Sequence, residues 1–189
     1  MKPFKTYIHA TVTPQEVDAI SAKAKAINAQ LEQYSRKFDF TTLEFPIGIY
    51  VKKFITGDIV IPAYQRGFVW TEKEQIQFIE SVLLGVPLPA IFLKENEETG
   101  ILEVIDGSQR IRTLSKFFNN QLEFKEMEAL TELNGLKYED LPLIQRRRFL
   151  NRTLKAFKVK DTVSDKDVKE IFKRINARDK SLEDLIKDL

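Results

Sequence analysis

Residues 104–113, VIDGSQRIRT, contain the clearest structural signal in the sequence. An apolar run typical of a β-strand ends at Asp106, and Gly107 then gives the backbone the freedom to turn. From Ser108 onward the apolar residues recur with the spacing of a helix. The stretch therefore predicts a strand, a tight turn and a helix in immediate succession, and the other segments are interpreted around this unit.

The position of Arg110 in the predicted helix is unusual. At 100° per residue, Leu114 lies about 40° and Phe117 about 20° from Arg110 around the helix axis, so Arg110 falls on the apolar face. Arg112 falls on the opposite face, where solvent is expected. A cation in the first turn of a helix opposes the helix dipole by roughly 0.3–1 kcal/mol, and burial adds a desolvation cost.

Two explanations account for this arginine. In the structural one, Asp106 or another carboxylate pairs with Arg110. In the functional one, the turn binds an anion such as phosphate. A helix N-terminus offers free backbone N–H groups, Gly107 permits a close approach, and the guanidinium offers two parallel donors. Both explanations stay open at the level of the sequence.

A second Gln-Arg pair lies in the segment IPAYQRGFVW, residues 61–70. Proline and glycine predict a tight connection from which Gln65 and Arg66 project. One interpretation is a packed loop whose polar pair forms local hydrogen bonds. The other is a second wall of the pocket that Gln109 and Arg110 would line.

Composition excludes several kinds of site. The 189 residues carry a net charge of +2, no cysteine and a single histidine, His9. Disulfides, thiolate metal sites and cysteine nucleophiles are therefore excluded, and a histidine-based zinc or HNH nuclease site is not expected. No apolar stretch approaches the roughly 20 residues that span a bilayer, and the N-terminus has no signal-peptide pattern. We expect a cytoplasmic protein without a membrane partner.

The N-terminal region predicts a long amphipathic helix over residues 13–38. Thr13 can cap it, Pro14 suits the first helical position, and the helix would run for about six turns. Its apolar residues alternate in steps of three and four, as in a heptad stripe: they are Val17, Ile20, Ala24, Ile27, Leu31, Tyr34 and Phe38. The stripe either packs on the core of its own domain or forms a homodimer. We expect a helical extension over 1–42 and a second domain over 43–189.

The rest of the chain alternates between strand and helix patterns. Strand or extended patterns occur at 47–54, 58–64, 90–95, 101–106 and 153–160, of which 90–95 and 101–106 predict a hairpin. One helix is predicted from the capping box of Thr71 to Gly85. Further helix patterns cover 108–119, 138–151, a segment after Ser164 and a segment after Ser181. The last pattern is still apolar at Leu189, which suggests that more chain or a partner follows.

One basic cluster, QRRRFLNR, covers residues 145–152. Arg148 and Arg152 would share a helix face at a spacing of four. Such a run is often a solvated surface, and the functional alternative is contact with nucleic acid. The arginines that would make this contact are Arg146, Arg147, Arg148 and Arg152. No Walker A loop and no G-x-G-x-x-G pattern occurs.

Three segments together carry a family resemblance: 61–93, 103–118 (EVIDGSQRIRTLSKFF) and 171–182 (IFKRINARDKSL). In this order they resemble the N-terminal domain family of GmrSD-type restriction endonucleases, within the ParB/sulfiredoxin-like superfamily. The resemblance covers about residues 45–185. It implies an α+β fold, a small mixed sheet packed with helices and preceded here by the long N-terminal helix.

The resemblance also implies a nucleoside triphosphate, with Mg²⁺, as the ligand. The positions that match the nucleotide-binding motifs are Gln65, Arg66, Asp106, Gly107, Gln109, Arg110, Arg174 and Asn176. Ser108 stands in the same turn where many relatives have glutamine. Arg66 and Arg110 would neutralise phosphate charge. Asp106 would hold Mg²⁺ or orient the attacking water, with Arg110 completing the catalytic pair, or it would only orient Arg110.

Three functions follow as hypotheses. The first is a nucleotide-binding and hydrolysing domain of a restriction or phage-defence protein that acts on DNA. The second is a ParB-like nucleotide switch without turnover, and the third is a DNA-binding module without catalysis. The nuclease chemistry would belong to a downstream domain or subunit, since we expect no autonomous nuclease activity.

Overall fold

The computed structural model describes residues 14–35, 40–65, 67–160, 163–164, 166–168, 170 and 173–174. The chain divides into two compact units, Met1–Phe38 and Asp39–Leu189. None of the helices in the described ranges combines the length and apolar character that a bilayer crossing requires.

The first unit contains one long helix, α1 (Pro14–Ser35), of 22 residues. The long N-terminal helix predicted from the heptad spacing is therefore present, whereas its predicted cap, Thr13, lies outside the described residues. Three members of the apolar stripe are exposed: Ile27, Leu31 and Tyr34. In this part of α1 the apolar stripe is not buried.

The second unit is built on a mixed sheet, which confirms the predicted α+β class. Its strands within the described ranges are β1 (Phe40–Pro46), β2 (Ile59–Val60), β3 (Ile91–Glu95), β4 (Leu102–Asp106) and β5 (Thr153–Val159). Their order across the sheet is β1-β5-β3-β4-β2. The β1–β5 and β3–β4 pairs are antiparallel, whereas β3–β5 and β2–β4 are parallel. The predicted hairpin is the β3–β4 pair.

Four α-helices of this unit are described in full. They are α2 (Ile47–Thr56), α3 (Glu72–Leu84), α4 (Ser108–Phe118) and α5 (Leu143–Leu150). Short 3₁₀ turns occupy Thr131–Leu133 and Tyr138–Asp140. The predicted start and end of α3 are confirmed: Thr71 forms a full capping box with Glu74, and Gly85 ends the helix in a left-handed conformation.

The prediction of a strand over 47–54 is wrong, because this segment forms α2. Its β-branched residues favoured a strand, but the buried residues Ile47, Tyr50 and Val51 follow the three-and-four spacing of a helix. Gly57, with φ of 85°, then closes the helix. Side-chain burial against the core thus outweighed the weak β-propensity.

The prediction of a single helix over 138–151 is also wrong. A 3₁₀ turn ends at Asp140, Leu141 is extended, and α5 begins only after Pro142. Proline disfavours helical backbone in the residue before it, so the pattern is interrupted there. Because α5 ends at Leu150, Arg152 lies outside the helix and does not share a helix face with Arg148.

Near the C-terminus, Ser164 caps a helical segment as predicted. The backbone N–H of Asp167 donates to Ser164 Oγ at 3.2 Å, and residues 166–168 are helical. Residues 171–172 of this predicted helix and the helix predicted after Ser181 lie outside the described residues.

An aromatic cluster connects α4 to the second half of the chain. The ring of Phe117, at the end of α4, lies 5.1 Å from the rings of Phe124 and Phe149 and 5.4 Å from that of Tyr138. Phe117 is fully buried. Tilted and edge-to-face aromatic contacts of this kind each add about 0.5–1.5 kcal/mol beyond the buried area. The C-terminal end of α4 is therefore fixed by the core, which also fixes where its N-terminus lies.

Candidate functional site

Gly107 joins β4 directly to α4 and is the N-cap of the helix, with φ of 95°. A Cβ atom at this position would lie 2.5 Å from Ile91 Cγ2 on the neighbouring strand. The turn therefore requires glycine for two reasons, its left-handed backbone and its packing against β3. We predicted that Gly107 leaves room for a ligand, but the side on which a Cβ would project is occupied by Ile91.

The first turn of α4 exposes backbone donors. The amide of Ile111 bonds back along the chain to the carbonyl of Gly107 at 3.0 Å. Within the described part of the chain, the amides of Ser108 and Gln109 have no acceptor. Ser108 forms no side-chain cap. Such N–H groups, together with the helix dipole, favour an anion.

Arg110 is held by three acceptors of the protein. Its Nη2 atom donates to Asp106 Oδ2 at 2.8 Å, and its Nη1 atom donates to the carbonyls of Pro89 at 2.5 Å and Ala90 at 3.1 Å. The side chain of Arg110 is only 12% exposed. The structural explanation for this arginine is therefore present in the fold: Asp106 compensates its charge on the apolar face of α4.

The two Gln-Arg segments meet through their glutamines. Gln109 Oε1 accepts from the amides of Val69 at 2.9 Å and Trp70 at 3.2 Å, and Gln109 Nε2 donates to the carbonyl of Gly67 at 3.1 Å. In return, Gln65 Nε2 donates to the carbonyls of Val104 and Ile105 at the end of β4. The predicted proximity of the two segments is thus seen for their glutamines, whereas Arg66 lies outside the described residues.

Gln75 is a further member of this region that the sequence did not reveal. It is buried on α3, and its Nε2 atom donates to the carbonyls of Trp70 at 3.0 Å and Thr71 at 3.2 Å. Its Oε1 atom accepts from Lys116 Nζ at 3.1 Å. The sequence contained one signal for Gln75: it immediately precedes Ile76 and shares the buried face of the helix. A side-chain amide is unusual at a buried position.

The prediction that Arg112 is ordinary surface charge is wrong. Arg112 is half-buried, and its Nε atom is buried without a hydrogen-bond partner among the described residues. Phe54 of α2 and Phe68 of the 67–70 loop border the same cavity. The face of α4 opposite the core is thus covered by neighbouring segments, which a projection of one isolated helix does not reveal.

The remaining residues suggested by the family resemblance lie near the C-terminus. Arg174 Nη2 pairs with Glu170 Oε1 at 2.6 Å, one helical turn earlier, and its side chain is exposed. Asn176 lies outside the described residues. Within the described ranges, Asp106 belongs to no group of three or more side chains of the metal-binding types.

The basic cluster is divided by the fold. Arg147 and Arg148 are exposed in the last turn of α5, where the helix dipole favours cations. Arg146 is half-buried near Tyr138, whose pKa is raised by burial and lowered to a smaller extent by the charge of Arg146. Arg152 Nη2 donates to the carbonyl of Leu83 at 3.2 Å. Two of the four arginines are thus presented to solvent from one helix.

The model of one protein family, the N-terminal domain of GmrSD restriction endonucleases, matches residues 47–187. This match begins at α2 and includes both Gln-Arg segments and the segment 171–182. The chain belongs to the GmrSD N-terminal domain family. No curated protein matches the sequence.

Membership in the GmrSD N-terminal domain family fixes the general context. The family is defined by restriction endonucleases, so this domain is part of a restriction-type defence system directed at DNA. The strand–Gly107–helix turn and the loop that Gln109 holds both lie inside the matched region. They are therefore features of the family domain and not of the N-terminal extension.

Proposed function

We propose that this domain binds a nucleoside triphosphate with Mg²⁺ and regulates a restriction-type protein that acts on DNA. The observation that carries the proposal is the first turn of α4, where two backbone amides have no acceptor among the described residues and Arg110 is held in place by Asp106. Helix N-termini that follow a strand and a glycine are common phosphate sites. The loop 67–70, held by Gln109, forms the adjacent wall.

Each residue then has a defined task. The amides of Ser108 and Gln109 bind phosphate oxygens, and Arg110 with Arg66 balances the phosphate charge. Asp106 orients Arg110 through its 2.8 Å ion pair, and a Mg²⁺ ion held by one carboxylate and the phosphates would use the same residue. Gln65 fixes the loop to β4, and Arg174 and Asn176 complete the site by similarity to the family motif.

A substitution at Ser108 tests the site without weakening the fold. Ser108→Asp places a negative charge at the N-terminus of α4. The interaction of this charge with the helix dipole stabilises the helix by about 0.3–1 kcal/mol, whereas the same charge repels phosphate. Isothermal titration with ATP, GTP, CTP and UTP in the presence of Mg²⁺ should give binding to the wild type and to Ser108→Asn. Ser108→Asp should bind at least tenfold more weakly while its melting temperature stays equal or rises. Undiminished binding by Ser108→Asp would overturn the proposal.

Hydrolysis is separable from binding. If the domain turns nucleotide over, phosphate release should exceed background and should fall in Asp106→Asn, which keeps the shape of the side chain and an acceptor for Arg110. Binding without release assigns the domain to the switch class instead. The catalytic roles of Asp106 and Arg110 would then be withdrawn, while their binding roles remain.

DNA contact by α5 is a second candidate function, favoured by the exposure of Arg147 and Arg148 on one helix end. The logarithm of the association constant for DNA falls linearly with the logarithm of the salt concentration, and each phosphate contact that is lost should make this slope less steep by about 0.9. The double substitution Arg147→Ala with Arg148→Ala should therefore lower the slope by about two. An unchanged slope would exclude this helix from the DNA interface.

The assembly follows from the same reasoning. The exposed apolar stripe of α1 supports a homodimer that this helix forms in the cytoplasm. The family match supports a nuclease domain or subunit that provides DNA cleavage. Light scattering of the full chain tests the dimer. Leu31→Lys should reduce the mass to that of the monomer, whereas a wild type that is already monomeric would contradict the dimer.

A further inference from the structure

An open surface pocket with a volume of about 250 Å³ lies beside α4, after its first turn. Its lining residues are Phe54, Phe68, Arg112, Ser115, Lys116 and Gln121. We call it the Arg112–Lys116 pocket. None of these described lining residues is acidic, so the two cations are not balanced by a carboxylate in the wall.

The electrostatics of this pocket are unfavourable without an anion. Arg112 and Lys116 stand one turn apart on α4, and like charges at this spacing repel each other. The Nε atom of Arg112 is buried and has no acceptor in the described part of the chain. A buried donor of a charged group without a partner is among the more costly arrangements in a protein. An anion between the two side chains would relieve their mutual repulsion.

The aromatic wall is fixed in position. Gln109 binds the backbone on both sides of Phe68, through Gly67 and Val69. Lys116 Nζ lies 5.9 Å from the centre of the Phe68 ring and is also held by Gln75 Oε1 at 3.1 Å. Phe68 remains 38% exposed. A rigid, accessible ring next to two cations is the combination with which proteins bind a nucleotide unit, with the base stacked and the phosphate paired.

We propose that the Arg112–Lys116 pocket binds one nucleotide unit, with its phosphate between Arg112 and Lys116 and its base against Phe68. The pocket uses the same loop, 67–70, as the turn at Ser108, but later turns of α4. Arg112 and Lys116 follow Ser108 by four and eight residues, which is about 6 and 12 Å along the helix axis. The unit comes either from a free nucleotide or from a nucleic-acid strand, since both present the same chemistry.

The experiment compares charge removal inside and outside the pocket. The variants are Arg112→Gln with Lys116→Gln, Arg112→Lys as the charge-preserving form, and Lys73→Gln as the control on the exposed face of α3. The probes are inorganic phosphate, a nucleoside monophosphate and a short single-stranded deoxyoligonucleotide, each titrated into the full chain. Thermal unfolding establishes that each variant is folded.

We expect the double variant to bind at least one nucleotide probe about tenfold more weakly than the wild type, with Arg112→Lys intermediate and Lys73→Gln unchanged. Phe68→Leu should weaken the same probe about fivefold. If the double variant binds the monophosphate more weakly, the nucleotide unit comes from a free nucleotide. If it binds only the oligonucleotide more weakly, the unit comes from a nucleic-acid strand.

Equal binding of every probe by the double variant and the wild type would overturn the proposal. Inorganic phosphate that binds as tightly as the nucleotide probes would overturn the role of Phe68 and with it the nucleotide assignment. The proposal does not rest on the triphosphate site, because Asp106→Asn, which alters the partner of Arg110 before the turn, should leave binding of the monophosphate or the oligonucleotide in this pocket within about threefold. The two sites can therefore fail independently.

Discussion

Gln109 donates from its side-chain amide to the carbonyl of Gly67 at 3.1 Å across 42 positions of sequence. Its other amide atom accepts from Val69 and Trp70, so one side chain on α4 holds three backbone groups of the loop 67–70. This contact joins the two segments that define the candidate site.

Gln109→Glu should weaken this connection. A carboxylate cannot donate to the carbonyl of Gly67, so one hydrogen bond becomes a repulsive pair of oxygens while the two accepting contacts remain. We expect the free energy of unfolding to fall by about 1–2 kcal/mol in urea denaturation. Gln145→Glu, in the first turn of α5, adds a charge that the helix dipole favours and should not lower the free energy of unfolding. Equal effects of the two substitutions would contradict the role of Gln109.

Gly107→Ala should be strongly destabilising. The left-handed backbone at φ of 95° and the 2.5 Å approach to Ile91 Cγ2 both oppose a Cβ atom. We expect a loss of about 2–4 kcal/mol in the free energy of unfolding. Gly67→Ala is the matched control, because a Cβ there meets nothing within 4 Å. A stable Gly107→Ala protein with an unchanged melting temperature would show that the turn is not constrained as described.

Tyr50 should make stability fall at high pH. Burial raises the pKa of Tyr50 to about 12, against an ordinary value of 10.0, while the backbone of Phe45 acts in the opposite direction. A raised folded pKa means that the folded state retains its proton longer than the unfolded state does. The contribution is complete below pH 10 and is lost as pH rises towards 12, by about 1–2 kcal/mol.

Tyr50→Phe provides the control for this pH dependence. It keeps the ring that lies 5.9 Å from Phe45 but removes the titrating group. Urea denaturation at several pH values above 9 should give a steeper decline for the wild type than for this variant. Parallel curves would assign the decline to other groups.

Glu80→Gln should loosen the segment 128–130. Glu80 is 6% exposed, and its carboxylate accepts from the amides of Ala129 at 2.9 Å and Leu130 at 2.8 Å. A glutamine has only one accepting atom, so its NH₂ group would face an amide donor. We expect a loss of about 1–3 kcal/mol and faster hydrogen exchange at Ala129 and Leu130.

Glu72→Gln is the comparison for Glu80. The carboxylate of Glu72 is about half exposed and pairs with Lys125 at 3.4 Å, so its removal should change stability by less than about 1 kcal/mol. If Glu80→Gln behaved like this surface variant, the hydrogen bonds from the amides of Ala129 and Leu130 to Glu80 would not hold the segment in solution.

Local sequence signals predicted much of the architecture. The strand, Gly107 and α4 were predictable because an apolar run, a glycine and a helical period follow one another without a gap. The boundaries of α3 followed from the Thr71 capping box and Gly85. The errors at 47–54 and 138–151 arose where composition suggested one element and spacing or proline determined another.

Non-local contacts were not predictable in the same way. Helical geometry placed Arg110 correctly on the buried face of α4, but it could not show that Phe54 and Phe68 cover the face of Arg112. The contact between Gln75 and Lys116 joins residues 41 positions apart, and no local pattern encodes it. The proximity of Gln65 and Gln109 was suggested only by their repeated Gln-Arg context.

The contacts of Arg110 have a consequence for the affinity of the proposed phosphate site. A long, mobile arginine loses conformational entropy when a ligand immobilises it, at a cost of about 0.5–1.5 kcal/mol. Here Asp106 and the carbonyls of Pro89 and Ala90 have already fixed the guanidinium during folding. At the proposed phosphate site an incoming anion would meet a preorganised cation, and the ordering cost would belong to the stability of the domain and not to the affinity of the site.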